Sequence, residues 1–80
     1  MNWARSNITG KFYDPTKVWY SQNFAMFEAF FANGGDTELI DIFYDPNREK
    51  NKMVFVWARK QDSPIIADLL DKWDKHELEH

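Results

Sequence analysis

ELIDIFYDPNREKNKMVFVWA, residues 38–58, is the stretch whose reading decides the fold. Its first seven residues alternate, placing Ile40, Ile42 and Tyr44 on one face of a predicted strand and Leu39, Asp41 and Phe43 on the other. Asp45-Pro46-Asn47-Arg48 suits a type I turn, with Asp at the first position and Pro at the second. A charged loop runs on through Lys52. Residues 53–58 are then apolar on both faces, with Met53, Phe55 and Trp57 against Val54, Val56 and Ala58. Such a run suits a strand with neighbours on either side. The stretch therefore predicts a β-hairpin whose second strand lies inside a sheet.

Working outward, helix signals flank this hairpin. Ser21 or Asn23 can cap a helix through FAMFEAFFAN, residues 24–33, and Gly34-Gly35 stops it. Phe24, Phe27 and Phe31 cluster on the helical wheel, Phe30 and Met26 widen the stripe, and Glu28 is its one charge. A helix this apolar needs cover from a sheet or a second subunit. On the other side, Ser63-Pro64 is an N-cap followed by proline at the first helical position. The helix it opens gathers Ile65, Ile66, Leu69, Leu70 and Trp73 on one face. Upstream, residues 10–13 end a predicted strand, Asp14-Pro15-Thr16-Lys17 turns, and Val18-Trp19-Tyr20 reads as strand.

FYDP thus occurs twice, at residues 12–15 and 43–46, each time where a strand meets a turn. Asp-Pro supplies the turn, and the ring pair is expected to fill the last buried strand positions. The expected fold is α+β: an antiparallel sheet of three or four strands, two helices packed on one of its faces, in the order β-(β)-α-β-β-α. Residues 1–77 form one domain, and residues 78–80, Leu-Glu-His, read as a purification-tag remnant.

From Val18 onward the chain resembles a family of small uncharacterised domains of bacterial and phage or mobile-element proteins. The resemblance rests on Val18-Trp19-Tyr20-Ser21, an apolar helix ending at glycine, Leu39-Ile40-Asp41-Ile42, Val54-Phe55-Val56-Trp57 and a final helix. It covers about two-thirds of the chain, departs from the family in its long charged hairpin loop and N-terminal extension, and involves core and turn positions throughout. It implies a β-α-β-β-α fold in a prokaryotic intracellular protein, and no activity.

Composition narrows the function classes. There is no cysteine, so disulfides, thiolate metal sites and a cysteine nucleophile are excluded. A secreted domain of 80 residues usually carries such staples, so a reducing, cytoplasmic setting is expected. No stretch approaches the roughly 20 apolar residues that span a bilayer, and no membrane partner is expected. Aromatic residues make up 18% of the chain, four of them tryptophan. Burying a large apolar side chain is worth about 1.5–3 kcal/mol, so most of these rings must pack inside a domain this small.

The catalytic inventory is thin. His76 is the one histidine ahead of the terminal tripeptide, and Ser21 and Ser63 are explained as caps. Asp68, Asp71, Asp74 and Glu77 step around the last helix with Lys72 and Lys75 between them, which describes a solvated face rather than a metal site. Asp45, Asn47 and Glu49 begin like a calcium loop, but Lys50 stands where glycine is required and Val56 where the closing glutamate belongs. No enzyme, cofactor or metal is therefore expected.

Charge is segregated: residues 46–60 carry +4, and those from 61 onward −4. Two binding readings follow. A non-enzymatic protein-interaction module or homodimer would use some of Trp19, Phe43, Phe55 and Trp57. A single-stranded nucleic-acid binder would use Arg48, Lys50 and Lys52 beside Phe55 and Trp57. Against the second stands the net charge of −3, which supplies no long-range attraction to a polyanion.

Overall fold

A computed structural model describes residues 2–49 and 52–78. Five strands and two helices build an α+β fold: β1 (Ala4–Arg5), β2 (Phe12–Tyr13), β3 (Val18–Ser21), α1 (Phe24–Ala32), a 3-10 turn (Gly35–Glu38), β4 (Leu39–Tyr44), β5 (Met53–Ala58) and α2 (Pro64–Asp74). The main sheet is antiparallel with order β3-β5-β4, so the strand apolar on both faces is the central one. From β3 onward the element order is β-α-β-β-α.

Local chemistry sets the helix ends. Asn23, not Ser21, caps α1, its side-chain oxygen accepting from the Met26 N–H at 3.1 Å. Gly34 takes the left-handed conformation (φ 90°) that ends this helix. Gly35 serves a different purpose: a Cβ there would come within 2.7 Å of the Phe30 carbonyl oxygen and 2.9 Å of Leu69. Its bare backbone lets α1 and α2 approach. Ser63 caps α2 through the Ile66 N–H, and the helix ends with His76 at φ 57°. There His76 N–H donates to the Trp73 carbonyl and Glu77 N–H to that of Lys72, a Schellman closure.

Phe30 is the hub of the helix-side core. Its ring lies 5.5 Å from Trp57, 6.3 Å from Trp19 and 6.3 Å from Trp73, with Ile66 and Leu69 closing the cluster. Three of the four tryptophans are thereby mortar.

Of the three or four strands expected, the main sheet has three, and Phe12–Tyr13 pairs instead with Ala4–Arg5 in a separate two-stranded sheet. Three expectations need correction. The first concerns β4. Leu39 pairs with Trp57 and Asp41 with Val56, so Ile40 is an extra residue in a bulge. The bulge shifts the alternation by one, placing Leu39 with Ile42 on the helix side and turning Asp41 and Phe43 to the opposite side. Second, the far face of β5 is not open: Val54 and Val56 are fully buried. Residues 6–15 lie over that side, tied to Asp41 by Tyr13 and to β3 by Tyr20, whose hydroxyl donates to the Pro15 carbonyl.

The third concerns FYDP. The turn chemistry is common to both copies: each Asp side chain accepts from the N–H two residues on, and each Asp carbonyl from the N–H three residues on. The rings do not match. In the first copy Phe12 is exposed and Tyr13 turned inward, whereas in the second Phe43 is half-buried and Tyr44 exposed. One turn solution is used twice, on strands of opposite parity.

Candidate functional site

Six of the seven residues expected to form a contact surface are among the described residues, and the structure does not gather those six on one face. Phe55 and Trp57 are buried in the core beneath the helices, so they can neither stack bases nor meet a partner. Trp19 is half-buried against Phe30 on the same side, while Phe43 faces the opposite side, edge-on to Tyr20. Arg48 is exposed but engaged, its guanidinium bonding to Asp45 and to the Gln22 side chain. Lys52 is exposed, and Lys50 lies outside the described residues. The reason is positional: rings on a central strand are the first to be covered by whatever packs on the sheet.

What the structure exposes instead is a ridge on α1. Phe24 and Phe31 are 51% and 50% exposed, and Phe27 lies between them with ring centroids 5.9 Å and 5.6 Å away. Phe27 in turn stacks on Phe55 at 4.3 Å with the planes 12° apart, and Phe24 meets Phe55 edge-on at 5.6 Å. The ridge is therefore seated on the core. Half-buried Ile42 and Met53 and exposed Tyr44 belong to the same side of the sheet. Glu28, four residues beyond Phe24, is the neighbouring charge. The sequence signalled this stripe; it did not signal that the sheet would cover one flank and leave the other bare.

A second feature is a buried carboxylate. Asp41, 3% exposed, accepts from the Asn7 backbone N–H (2.7 Å), the Asn7 side-chain amide (3.2 Å) and the Ile42 N–H (2.8 Å) on one oxygen, and from the Tyr13 hydroxyl (2.7 Å) on the other. Ser6 Oγ donates to the Ile40 carbonyl and Asn7 Nδ2 to that of Ile42. These bonds satisfy the bulged edge of β4 and clip the N-terminal hairpin to it. The arrangement is a clasp, since the donors use up the carboxylate.

Burial, and then the bond to the Asp41 carboxylate, hold the Tyr13 phenol well above its ordinary pKa. The folded state therefore keeps a proton that the unfolded chain releases once the pH passes the usual tyrosine value near 10. The stabilisation is complete below that pH and is lost as pH rises beyond it. Urea midpoints measured from pH 8 to 11.5 should fall at the alkaline end in the wild type, and this part of the slope should vanish in Tyr13→Phe.

A cleft of about 320 Å³ between β3 and α2 is lined by Val18, Trp19, Arg59, Lys60, Gln61 and Leu70. Its Arg59 is engaged by Asp62 at 3.1 Å. On α2, Asp68 pairs with Lys72 and Asp71 with Lys75, each at 3.0 Å, so the stepped acids form a solvated, lysine-bridged face. Among the described residues no three His, Asp or Glu side chains converge, and no helix is long and apolar enough to cross a membrane. His76 is exposed and belongs to the α2 closure.

Comparison with family models, curated proteins and solved structures finds no match to this chain. Function has to be read from its surface.

Proposed function

We propose that this chain is a small non-enzymatic interaction module that binds an apolar helical segment of a partner protein along the Phe24–Phe27–Phe31 ridge. The observation that carries this reading is the ridge itself: two half-exposed rings joined by a third that stacks on the core. Rings already held in place lose little freedom on binding, which is how aromatic anchors come to dominate interface energies. Spacing of i, i+3 and i+7 lays them in a line along one side of α1, and such a line matches the face of another helix. Glu28 sets the preference for a foreign partner. Two copies packed ridge to ridge would bring like charges together, whereas a lysine- or arginine-bearing helix would meet them.

The test uses Phe24→Ser/Phe31→Ser. Because both rings are half-exposed, this variant should unfold within about 1 kcal/mol of the wild type. A labelled amphipathic Leu/Lys peptide should bind the wild type, and binding to the variant should be at least tenfold weaker. Light scattering should report a monomer at tens of micromolar. Indifference of the peptide to the double substitution would overturn the reading. A dimer that dissociates in the variant would replace the foreign partner with a second copy.

A further inference from the structure

A second exposed surface, independent of the α1 ridge, lies on the N-terminal hairpin. Register pairs Ala4 with Tyr13 and Arg5 with Phe12. Alternation then puts Ala4 and Tyr13 on the inner side, toward Asp41, and Trp3, Arg5 and Phe12 on the outer side. Phe12 is 67% exposed and Trp3 57%, and the two line an open depression of about 510 Å³.

The rings are accompanied by cations. Arg5 Nε donates to the Gly10 carbonyl at 3.0 Å, which fixes the guanidinium with its carbon 5.9 Å from the Phe12 centroid. That bond uses one of five guanidinium donors. Residues 2–17 hold Arg5, Lys11 and Lys17 against Asp14, a local +2 in a chain whose net charge is −3. The Asp14 carboxylate is taken up by the Thr16 N–H and hydroxyl. This surface is also anchored, because the clasp on Asp41 holds the inner side of the same hairpin to the sheet.

We propose that the outer face of the N-terminal hairpin is a stacking platform for single-stranded nucleic acid, with unpaired bases on Trp3 and Phe12 and a phosphate at Arg5. Rings beside cations favour this occupant over protein. Stacking accepts any base, since each presents a π-face, and the cations neutralise phosphates that a protein helix would lack. Duplex is disfavoured, because its bases are already stacked on each other. The α1 ridge has the opposite character, with rings beside a carboxylate.

A fluorescein-labelled oligothymidylate, titrated with the full chain at low salt, tests the platform. Binding should weaken as salt rises, with the modest slope of about one or two neutralised phosphates. Trp3→Ala and Phe12→Ala should each weaken it about fivefold or more, and Arg5→Glu should act in the same direction. Trp3→Phe, which keeps a ring, should stay within about twofold of the wild type, separating stacking from loss of fold. Phe24→Ser/Phe31→Ser should bind as the wild type does, so failure of the protein-binding reading would leave this one standing. No binding at about 100 µM would overturn the proposal. So would binding indifferent to Trp3 and Phe12, or binding lost instead in Arg48→Glu/Lys52→Glu. If the Trp3 and Phe12 variants alter self-association in place of oligonucleotide binding, the face is a protein interface and the proposal fails.

Discussion

Asp41→Ala is expected to lower the thermal midpoint by roughly 12 °C or more, equivalent to about 3 kcal/mol in a domain of this size. The side chain is small and its apolar content negligible, so the effect comes from the groups it leaves behind. Without the carboxylate, the Tyr13 hydroxyl and the N–H groups of Asn7 and Ile42 lose their acceptor in a region largely closed to water. An unpaired buried donor costs about 1–3 kcal/mol, and the contributions are not additive because the hairpin can lift away to find water. That escape gives a second readout. Release of residues 2–15 should open the chain to trypsin after Arg5 and Lys11 while the main sheet stays folded, so cleavage should outpace global unfolding. Asp41→Asn keeps one acceptor oxygen and should lose about half as much. In a double-mutant cycle, Asp41→Ala and Tyr13→Phe should be coupled by about 1 kcal/mol or more. A loss below about 1 kcal/mol for Asp41→Ala would show that the hairpin is not clasped through this carboxylate.

Asp41 also marks where the sequence ceases to be legible. Both helices, the cap at Ser63 and both Asp-Pro turns were readable because each depends on neighbours within four residues. The hairpin of residues 38–58 was readable because a turn joins two strands adjacent in the chain; for α1 the sequence left Ser21 and Asn23 as alternative caps. The role of Asp41 depends on Asn7, 34 residues away. It also depends on the bulge at Ile40, which no alternation pattern announces: seven residues of clean period two contain a shift that sends Leu39 and Asp41 to opposite sides of the sheet. Strict alternation therefore gave the wrong partners for Leu39. Residues 10–13 read as the end of a strand, but the pairing of Phe12–Tyr13 with Ala4–Arg5 was hidden for another reason. Two residues per strand are too few to carry a period, and this pair persists because tertiary bonds hold it.

The rings divide along a related line. Composition required most of them to be buried but could not say which. Residues 54–57 alternate valines with rings, so a strand apolar on both sides could be read either as enclosed or as offering one ring-bearing face. Enclosure won, because residues 6–15 close the side opposite the helices. The rings left outside are therefore not on the central strand. They are Trp3 and Phe12 on the N-terminal hairpin, Tyr20 and Tyr44 on the edge strands β3 and β4, and Phe24 and Phe31 on the shoulder of a helix wider in its apolar arc than the sheet beneath it.

Trp57→Ala puts that division to its strongest test. The residue is fully buried at the centre of β5, paired across strands with Trp19 and Leu39 and packed against Phe27 and Phe30. Truncation removes the largest side chain of the core and opens a cavity that three elements would have to collapse to fill. The expected cost is about 3–5 kcal/mol. Total stability for a domain of this length is on the order of 4–12 kcal/mol, so a large share of the variant should be unfolded at 37 °C. Trp57→Phe should behave differently. The indole Nε1 has no hydrogen-bond partner among the described residues, so replacing it also removes a buried unsatisfied donor. That gain offsets part of the smaller cavity, and the net loss should fall below half that of the alanine variant. Urea unfolding of the two variants beside Phe24→Ser/Phe31→Ser then orders the rings by what they hold together. If Trp57→Ala costs no more than the surface pair, the core is not built around Phe30 and Trp57. The exposed rings would then have no claim to be spare, because a contact surface is identifiable only when the fold stands without it.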